Sequence, residues 1–569
     1  MVFLRKGSLW LSFCLTLSFC SKGHGANLDA IANDARWHAL LHLVNGQPQI
    51  TSDFLLSADH FSPVNELNAT IQLFRSNNEN RCRFLARHYF LTQISGLHLP
   101  APYCPGFTQF KRAVPVERLS LIYASENLLQ PASIMGHTML AMENQNQTTQ
   151  HAFSFFTELN DYNPVNLVWD NLIKGQPGFI TVQPLQSSLK PYKDEQRNVW
   201  VYELNLNSLQ KELIQRHIWA LKSASLTYLF NSHNCATLIL DTLSVAAPDL
   251  QKHRQKWVSP IDVAKAIRYE SLIKETHLHG SSEWKVRSLS QVTDPFSQSA
   301  PASKPLAIML SNEINDHQYR YGYIGLDQWQ SEQSRLRQIA DVSGLTLTLD
   351  TSKGPLETPA DSQWGISMVN DLFNKALLLE WMPASHHLID DNRYYASENA
   401  LEILNITLAA SGERLELYDA RLYQVTSYLR HNPHIGGWSG EFGVGLTKIE
   451  EQNNRLMAYL SGGLGKTIAL HKDIDAFALW TLGSQVNRDV INFAHGPKIG
   501  AIMRLIGPSK LVVSHQYTWQ SQFVNQQKTL AQMAWYLSKG INIDLVYQRK
   551  EWEASNVSET ISAGVRFLY

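Results

Sequence analysis

The stretch Tyr228-Leu-Phe-Asn-Ser-His-Asn-Cys-Ala-Thr-Leu-Ile-Leu-Asp-Thr-Leu243 joins two kinds of pattern. An apolar, aromatic run arrives at Asn234-Cys235, and a helical pattern leaves it. Ala236, Ile239, Leu240 and Leu243 recur at i, i+3, i+4 and i+7, one face of a helix. Asn234 stands where an N-cap residue stands, so Cys235 takes the first helical position. A cysteine there feels the positive end of the helix dipole, which favours thiolate over thiol. The plainer reading of Cys235 is a buried cysteine packing as a small hydrophobe.

Cysteine usage bears on that choice. The N-terminus reads as a secretory signal over residues 1–26: Arg5 and Lys6, an apolar run over 9–20, then small residues at Gly23, Gly25 and Ala26. Cys14 and Cys20 leave with it, and Phe13 and Phe19 stand where a lipoprotein anchor needs a small residue. Cys82, Cys104 and Cys235 remain. In an oxidising compartment this predicts one disulfide and one free thiol, with Cys82 and Cys104 the natural pair because they share a segment. Cys235 is then unpaired.

Upstream, residues 27–114 read as a helical module. Residues 28–43 carry apolar positions at helical spacing with Trp37 inside, and Glu66 to Phe74 and Cys82 to Leu91 repeat the pattern. Arg83 and Arg87 lie four apart on one face, either to bind an acidic group or, as is commoner, on a solvated face. Residues 115–270 alternate short strand patterns (119–124, a turn then a strand within 131–142, 151–156, 197–204) with a helix over 206–221 and the Cys235 helix, an α+β domain. Residues 271–305, rich in Ser, Lys, Gln and Pro, read as a linker.

From 306 to 569 short strand patterns repeat with turns between them, which predicts an all-β antiparallel sandwich or barrel. The end of the chain favours the barrel. In Ile561-Ser-Ala-Gly-Val-Arg-Phe-Leu-Tyr569, Tyr569, Phe567, Val565, Ala563 and Ile561 form an apolar row. This resembles the C-terminal strand of bacterial outer-membrane barrels, in which such a row faces lipid.

The chain as a whole bounds its partners. Its 569 residues need several cores, and its net charge of −1 gives no reason to expect nucleic acid. No window approaches about 18 consecutive apolar residues beyond the signal, so no spanning helix is expected in the mature chain.

A cysteine nucleophile needs a base, and the base needs an orienting group. Gly136-His137-Thr138 supplies the base: glycine allows close backbone approach, and the apolar strand that follows fixes the ring. A hairpin of the 137–142 and 151–156 strands is expected to set His151 beside His137, with His151 or Ser154 as the orienting group. His233 is near Cys235 in sequence but precedes the helix.

These residues carry a family resemblance. Pro131-Ala-Ser-Ile-Met-Gly-His-Thr-Met-Leu140, Arg197-Asn-Val-Trp-Val-Tyr-Glu-Leu204 and Asn234-Cys235-Ala-Thr237 resemble the N-terminal periplasmic domain of the lipoprotein N-acyltransferase Lnb family, over roughly residues 115–260. Cys82-Arg-Phe-Leu-Ala-Arg87 and Pro383-Ala-Ser-His-His-Leu-Ile-Asp-Asp391 resemble modules that accompany it in Gram-negative proteins. The order of histidine first and cysteine last is similar to that of the permuted papain-like domains of lecithin:retinol acyltransferase and the NlpC-type hydrolases. The resemblance implies a thioester acyl-enzyme with Cys235 as nucleophile and His137 as base. It also implies a lipid or lipoprotein substrate in the periplasm or outer membrane, and no cofactor. Lnb proteins are anchored by transmembrane helices, where this chain has a β-rich domain, so the resemblance implies the chemistry and leaves the substrate open. A cell-wall amidase or peptidase and a non-catalytic outer-membrane scaffold are the rival readings.

Two further motifs fail on context. Gly462-Gly-Leu-Gly-Lys-Thr467 has Leu460 where a phosphate-binding loop needs its first glycine, and lies among strands. His386-His387 with Asp390-Asp391 has the residues of a metal site, but adjacent strand residues point to opposite faces, so no metal is expected.

Overall fold

The computed structural model describes residues 27–50, 54–76, 78–125, 135–158, 174–293, 304–339, 354–371, 375–395, 397–411, 414–449, 455–553 and 557–569. The expected signal peptide and residues 131–134 of the histidine motif lie outside them.

The N-terminal module is helical. Ser62 caps the helix Pro63–Arg75 by accepting from the Asn65 amide, and Pro63 takes the first turn, where no amide hydrogen is needed. Leu67, Ile71 and Phe74 face inward along it. Its Glu66 is buried, accepts hydrogen bonds from the Leu56 and Ser57 amides, and pairs with Arg87. Arg87, itself buried, also donates to the Phe54 carbonyl at 2.7 Å. The solvated face expected for Arg87 is therefore wrong: a charge this deep is tolerable only because its partner and a carbonyl satisfy it. Cys82 and Cys104 form a disulfide with Cα atoms 5.5 Å apart.

The middle domain is built on a seven-stranded antiparallel sheet. Its order is Leu226–Tyr228, Gln176–Pro184, Gln150–Thr157, His137–Glu143, Arg118–Ala124, Val199–Leu204 and Ile273–His279. Leu121, Leu140, Met142, Phe153 and Tyr202 face one side, against the helices Ser208–Leu221, Cys235–Ser244 and Pro260–Tyr269. Burying a side chain such as Phe153 contributes about 2–3 kcal/mol. Ile122, Met139, Ala141 and Ala152 face the other side, under the helix Leu185–Asp194.

The segment read as a linker is structured. Ile273–His279 is the edge strand of that sheet, and the helix Ser282–Thr293 packs Val286 and Leu289 against Leu310 of the helix Lys304–Arg320. Leu326–Ile339 is a further helix, so the β-rich region begins later than residue 306.

Twelve antiparallel strands then close into a barrel, from Gln363–Asp371 to Val557–Leu568. The last strand pairs with the first (Gln363↔Leu568), so no edge is left open. Trp364, Ile366, Met368, Leu464, Trp480, Phe493, Ile561 and Phe567 are exposed, while Arg566, beside Phe567, is buried inward. Apolar-out and polar-in alternation on a closed barrel is the arrangement of an outer-membrane barrel. Among the described residues no helix is long and apolar enough to cross a membrane.

At the end where Gln363 and Leu568 meet, residues 383–395 enter the lumen. Ile389 packs on Tyr428, Phe477, Ile502 and Tyr536, and Asp390 is held by Arg566, Gln363 and Asn542. Lys510 donates to the carbonyls of Leu388 and Asp390 at 3.0 and 2.6 Å. The middle domain meets the barrel at this same end. Met135, Phe230 and Trp257 pack on Ala384, Leu401 and Ile403; Ser259 Oγ donates to Asp361 at 3.0 Å, and Lys265 to the Pro359 carbonyl at 2.6 Å.

Candidate active site

Asn234 is the N-cap of the helix Cys235–Ser244, and asparagine suits the position because it must both donate and accept. Its Oδ1 accepts from the Thr237 amide at 2.9 Å, while its Nδ2 donates to the carbonyls of Phe230 and Val258 at 2.8 and 3.0 Å. Thr237 Oγ1 returns a bond by accepting from the Asn234 amide at 2.9 Å, completing a capping box. The first turn, which carries Cys235, is thereby locked.

Cys235 is a free, buried thiol. The amides of Thr138 and Ala236 and the Tyr228 hydroxyl lie around its sulfur. These donors favour thiolate, but burial outweighs them and raises the thiol above its ordinary value. The expectation that the helix dipole alone leaves a resting thiolate is corrected here: desolvation is the larger effect.

His137 opens its strand directly after Gly136. Gly136 has φ +81°, and a Cβ there would lie 2.8 Å from both the Ala124 carbonyl oxygen and the Tyr123 ring, so only glycine fits. His137 Nε2 lies 3.0 Å from Ser154 Oγ, and Tyr192 stacks on the imidazole with ring centres 5.9 Å apart. Arg197 covers the Tyr192 ring at 4.7 Å and donates to the Ala124 carbonyl at 2.9 Å. Burial, helped by the Arg197 charge, lowers His137 to about 3, so the ring is neutral.

The ladder between the His137 and Gln150 strands runs from Glu143↔Gln150 to Leu140↔Phe153, and the strands part beyond it. The sulfur reaches the Thr138 amide at this parting. Strand parity puts His137 on the side of Met139 and Ala141, whereas the Cys235 helix packs on the Leu140 and Met142 side. The thiol and the imidazole thus approach the gap between the strands from opposite faces.

The register does not bring His151 to His137. His151 pairs with Met142, roughly 16 Å further along the strand, and its side chain lies on the opposite face. Ser154 makes the contact instead. His233 is bonded to Gln49 Oε1 at 3.0 Å and Ser232 Oγ at 3.1 Å. Tyr192, Arg197 and Tyr228 join the site without a local signal in the sequence; they are brought there by a helix, a strand start and an edge strand distant along the chain. Residues 462–467 lie within the strand Arg455–His471. His386 bonds Asn399 and Ser385, and His387 pairs with Glu380 and Glu402. Among the described residues no three His, Cys, Asp or Glu side chains group as a metal site.

Comparison with known proteins divides the chain similarly. Residues 106–269 match the family model described as the Lnb N-terminal periplasmic domain. Residues 29–94 and 353–567 match two domains of unknown function, DUF7843 and DUF7840. No curated protein matches. Similar solved structures include the NanC porin (6% identity, TM-score 0.26, covering 37% of this chain and 100% of that one). The KdgM porin is similar at 10% identity and TM-score 0.23, over 36% of this chain and 99% of that one. LpxR from Salmonella typhimurium is similar at 11% identity and TM-score 0.24, over 37% of this chain and 100% of that one. The chain is a cell-envelope protein in which residues 106–269 match the Lnb N-terminal periplasmic domain and the strands from Gln363 to Leu568 form a β-barrel of the outer-membrane type.

Proposed function

We propose that the middle domain is a cysteine acyltransferase or acyl hydrolase that works through a thioester on lipid-linked substrates. The observation that carries this is the set of polar groups around Cys235 Sγ, the Thr138 and Ala236 amides and the Tyr228 hydroxyl, at a helix N-terminus, with Thr138 directly following His137. A buried thiol packing as a hydrophobe has no use for polar N–H and O–H groups gathered around its sulfur. An acyl-transfer site does, because the negative charge of a tetrahedral intermediate develops beside the sulfur.

In this reading His137 Nδ1, which makes no hydrogen bond among the described residues, takes the Cys235 proton while Ser154 holds Nε2. The sulfur attacks the ester carbonyl carbon and a C–S bond forms. The oxyanion is held by the Tyr228 hydroxyl and the amides. The C–O bond then breaks, the alcohol leaves with the proton from His137, and a thioester remains. An amine or water, deprotonated by His137, attacks the thioester, and Cys235 recovers its proton as the acyl product leaves.

Lipid-linked substrates are favoured because the loops flanking both residues, through Met135 and Phe230, rest on the barrel. The test is full-length protein in proteoliposomes, offered diacylated lipopeptide and phospholipid or, separately, peptidoglycan fragments. Acyl transfer or release that Cys235→Ala abolishes supports the reading. Cleavage of peptidoglycan alone points to an amidase, and turnover by Cys235→Ala overturns the cysteine mechanism.

A further inference from the structure

The helices Lys304–Arg320 and Leu326–Ile339 form a hairpin with an aromatic tip, Tyr319-Arg-Tyr-Gly-Tyr323. Inside the hairpin the polar groups are satisfied: Asn315 donates to the Trp329 carbonyl at 3.0 Å, and Trp329 Nε1 to Asp316 at 2.6 Å. At the tip the pattern reverses. Tyr319, Tyr321 and Tyr323 are 38, 47 and 72% exposed, followed by Leu326 at 48%. Tyr321 and Tyr323 stack on one another with ring centres 6.0 Å apart, and Tyr319 stacks on Trp329 at 5.2 Å. Ordered rings that share faces yet stay exposed form a built surface, and a surface of this composition marks an interaction site.

Its position names the partner. Tyr321 lies near the Glu283 carboxylate, Glu283 pairs with Arg287 at 2.9 Å, and Arg287 donates to the Arg430 carbonyl at 2.6 Å and the Gly436 carbonyl at 3.4 Å. Asn432 bonds Ser290, and Ile435 packs against the cluster that Val286 and Leu289 form with Leu310 of the hairpin. The hairpin is thus fastened to the loop 429–438 of the barrel. The next residue after Gly437 is Trp438, 62% exposed, with Lys466 Nζ 3.8 Å over its ring. Trp438 shares parity with the outward-facing Phe442, so it stands on the lipid side of the rim, where tryptophan and tyrosine collect at membrane interfaces. The tyrosine tip therefore continues the barrel's own interfacial belt.

We propose that the 304–339 hairpin is an interfacial foot whose tyrosine tip rests in the periplasmic leaflet of the outer membrane beside Trp438. The foot shares the periplasmic end of the barrel with the middle domain and is independent of any chemistry at Cys235. It braces that domain against the leaflet on the flank where the sheet itself makes no barrel contact through Met135 or Phe230.

The test is depth measurement on the full chain in vesicles of phosphatidylethanolamine and phosphatidylglycerol. In a Cys235→Ser background, Tyr323→Cys carries a nitroxide, and Leu209→Cys, 54% exposed on the helix Ser208–Leu221, carries the same label as a water-facing reference. The ratio of oxygen to water-soluble nickel-chelate collisions at position 323 should exceed that at 209 by about threefold, as for a side chain at the headgroup boundary. Equal ratios at the two positions overturn the proposal, and so does a label at 323 immobilised but shielded from both reagents, which would mean a protein partner.

Discussion

Ser154 Oγ and His137 Nε2 lie 3.0 Å apart across the point where their strands separate. A neutral imidazole whose Nε2 is engaged there has only Nδ1 to offer a thiol. Ser154→Ala should lower kcat by about tenfold, short of the roughly 10²–10⁴ that general-base catalysis itself contributes, with stability falling by about 1 kcal/mol. His151→Ala, which alters a group facing Met142, should leave kcat within about twofold. Steady-state kinetics with thermal unfolding on both variants checks the assignment; a larger effect at His151 than at Ser154 reverses it.

The Tyr228 hydroxyl lies beside the sulfur together with the Thr138 and Ala236 amides. Tyr228→Phe removes it without removing the ring that packs on Phe155 at 5.2 Å. The expected result is a loss of about ten- to a hundredfold in kcat with KM little changed, since the Thr138 and Ala236 amides remain. A KM effect alone would place Tyr228 in substrate binding.

Burial raises Cys235 and lowers His137 to about 3, so both are neutral in the resting site. Alkylation of the native protein by iodoacetamide should therefore climb with pH and show no plateau below pH 9, whereas the unfolded chain should show a midpoint near about 8.5. For the same reason kcat/KM should be flat between pH 5 and 7, with no limb at the ordinary histidine value of about 6.5. A low-pH alkylation plateau would mean a resting thiolate–imidazolium pair.

Asp262 sits where the middle domain joins the barrel. Its carboxylate accepts from the Ser259 amide, while the Ser259 Oγ donates to Asp361, and burial together with the Asp361 charge raises it from 3.8 to about 6. A carboxyl raised above its unfolded value contributes stability that is fully present below about 3.8 and is lost as pH rises through about 6. Asp262→Asn should flatten the fall in melting temperature between about pH 4 and 6. An unchanged pH slope in the variant would remove Asp262 from the account.

The capped helix that begins with Cys235 was legible because its evidence is local: a cap residue, the cysteine after it and an apolar face within one short stretch. The barrel was legible from the alternation of 561–569, and the disulfide from the two cysteines in one segment. The His137 partner was not, because it depends on register. Setting His151 opposite His137 requires a turn centred on Asn144, whereas the pairs Glu143↔Gln150 and Met142↔His151 centre it between Asn146 and Gln147. The residue with positive φ in that turn is Gln147, at +56°, so no glycine marks it. The helices between 282 and 339 were read as linker and strand because exposed tyrosines and short polar runs blur their period. Arg87 was misread because its partner Glu66 lies on another helix.

The central claim is that Cys235 forms a thioester. Full-length protein in proteoliposomes, mixed with diacylated lipopeptide and phospholipid, quenched in acid and digested, should yield the Cys235 peptide heavier by one acyl chain, with the added mass removed by neutral hydroxylamine. An unmodified Cys235 peptide while acyl product accumulates would contradict it.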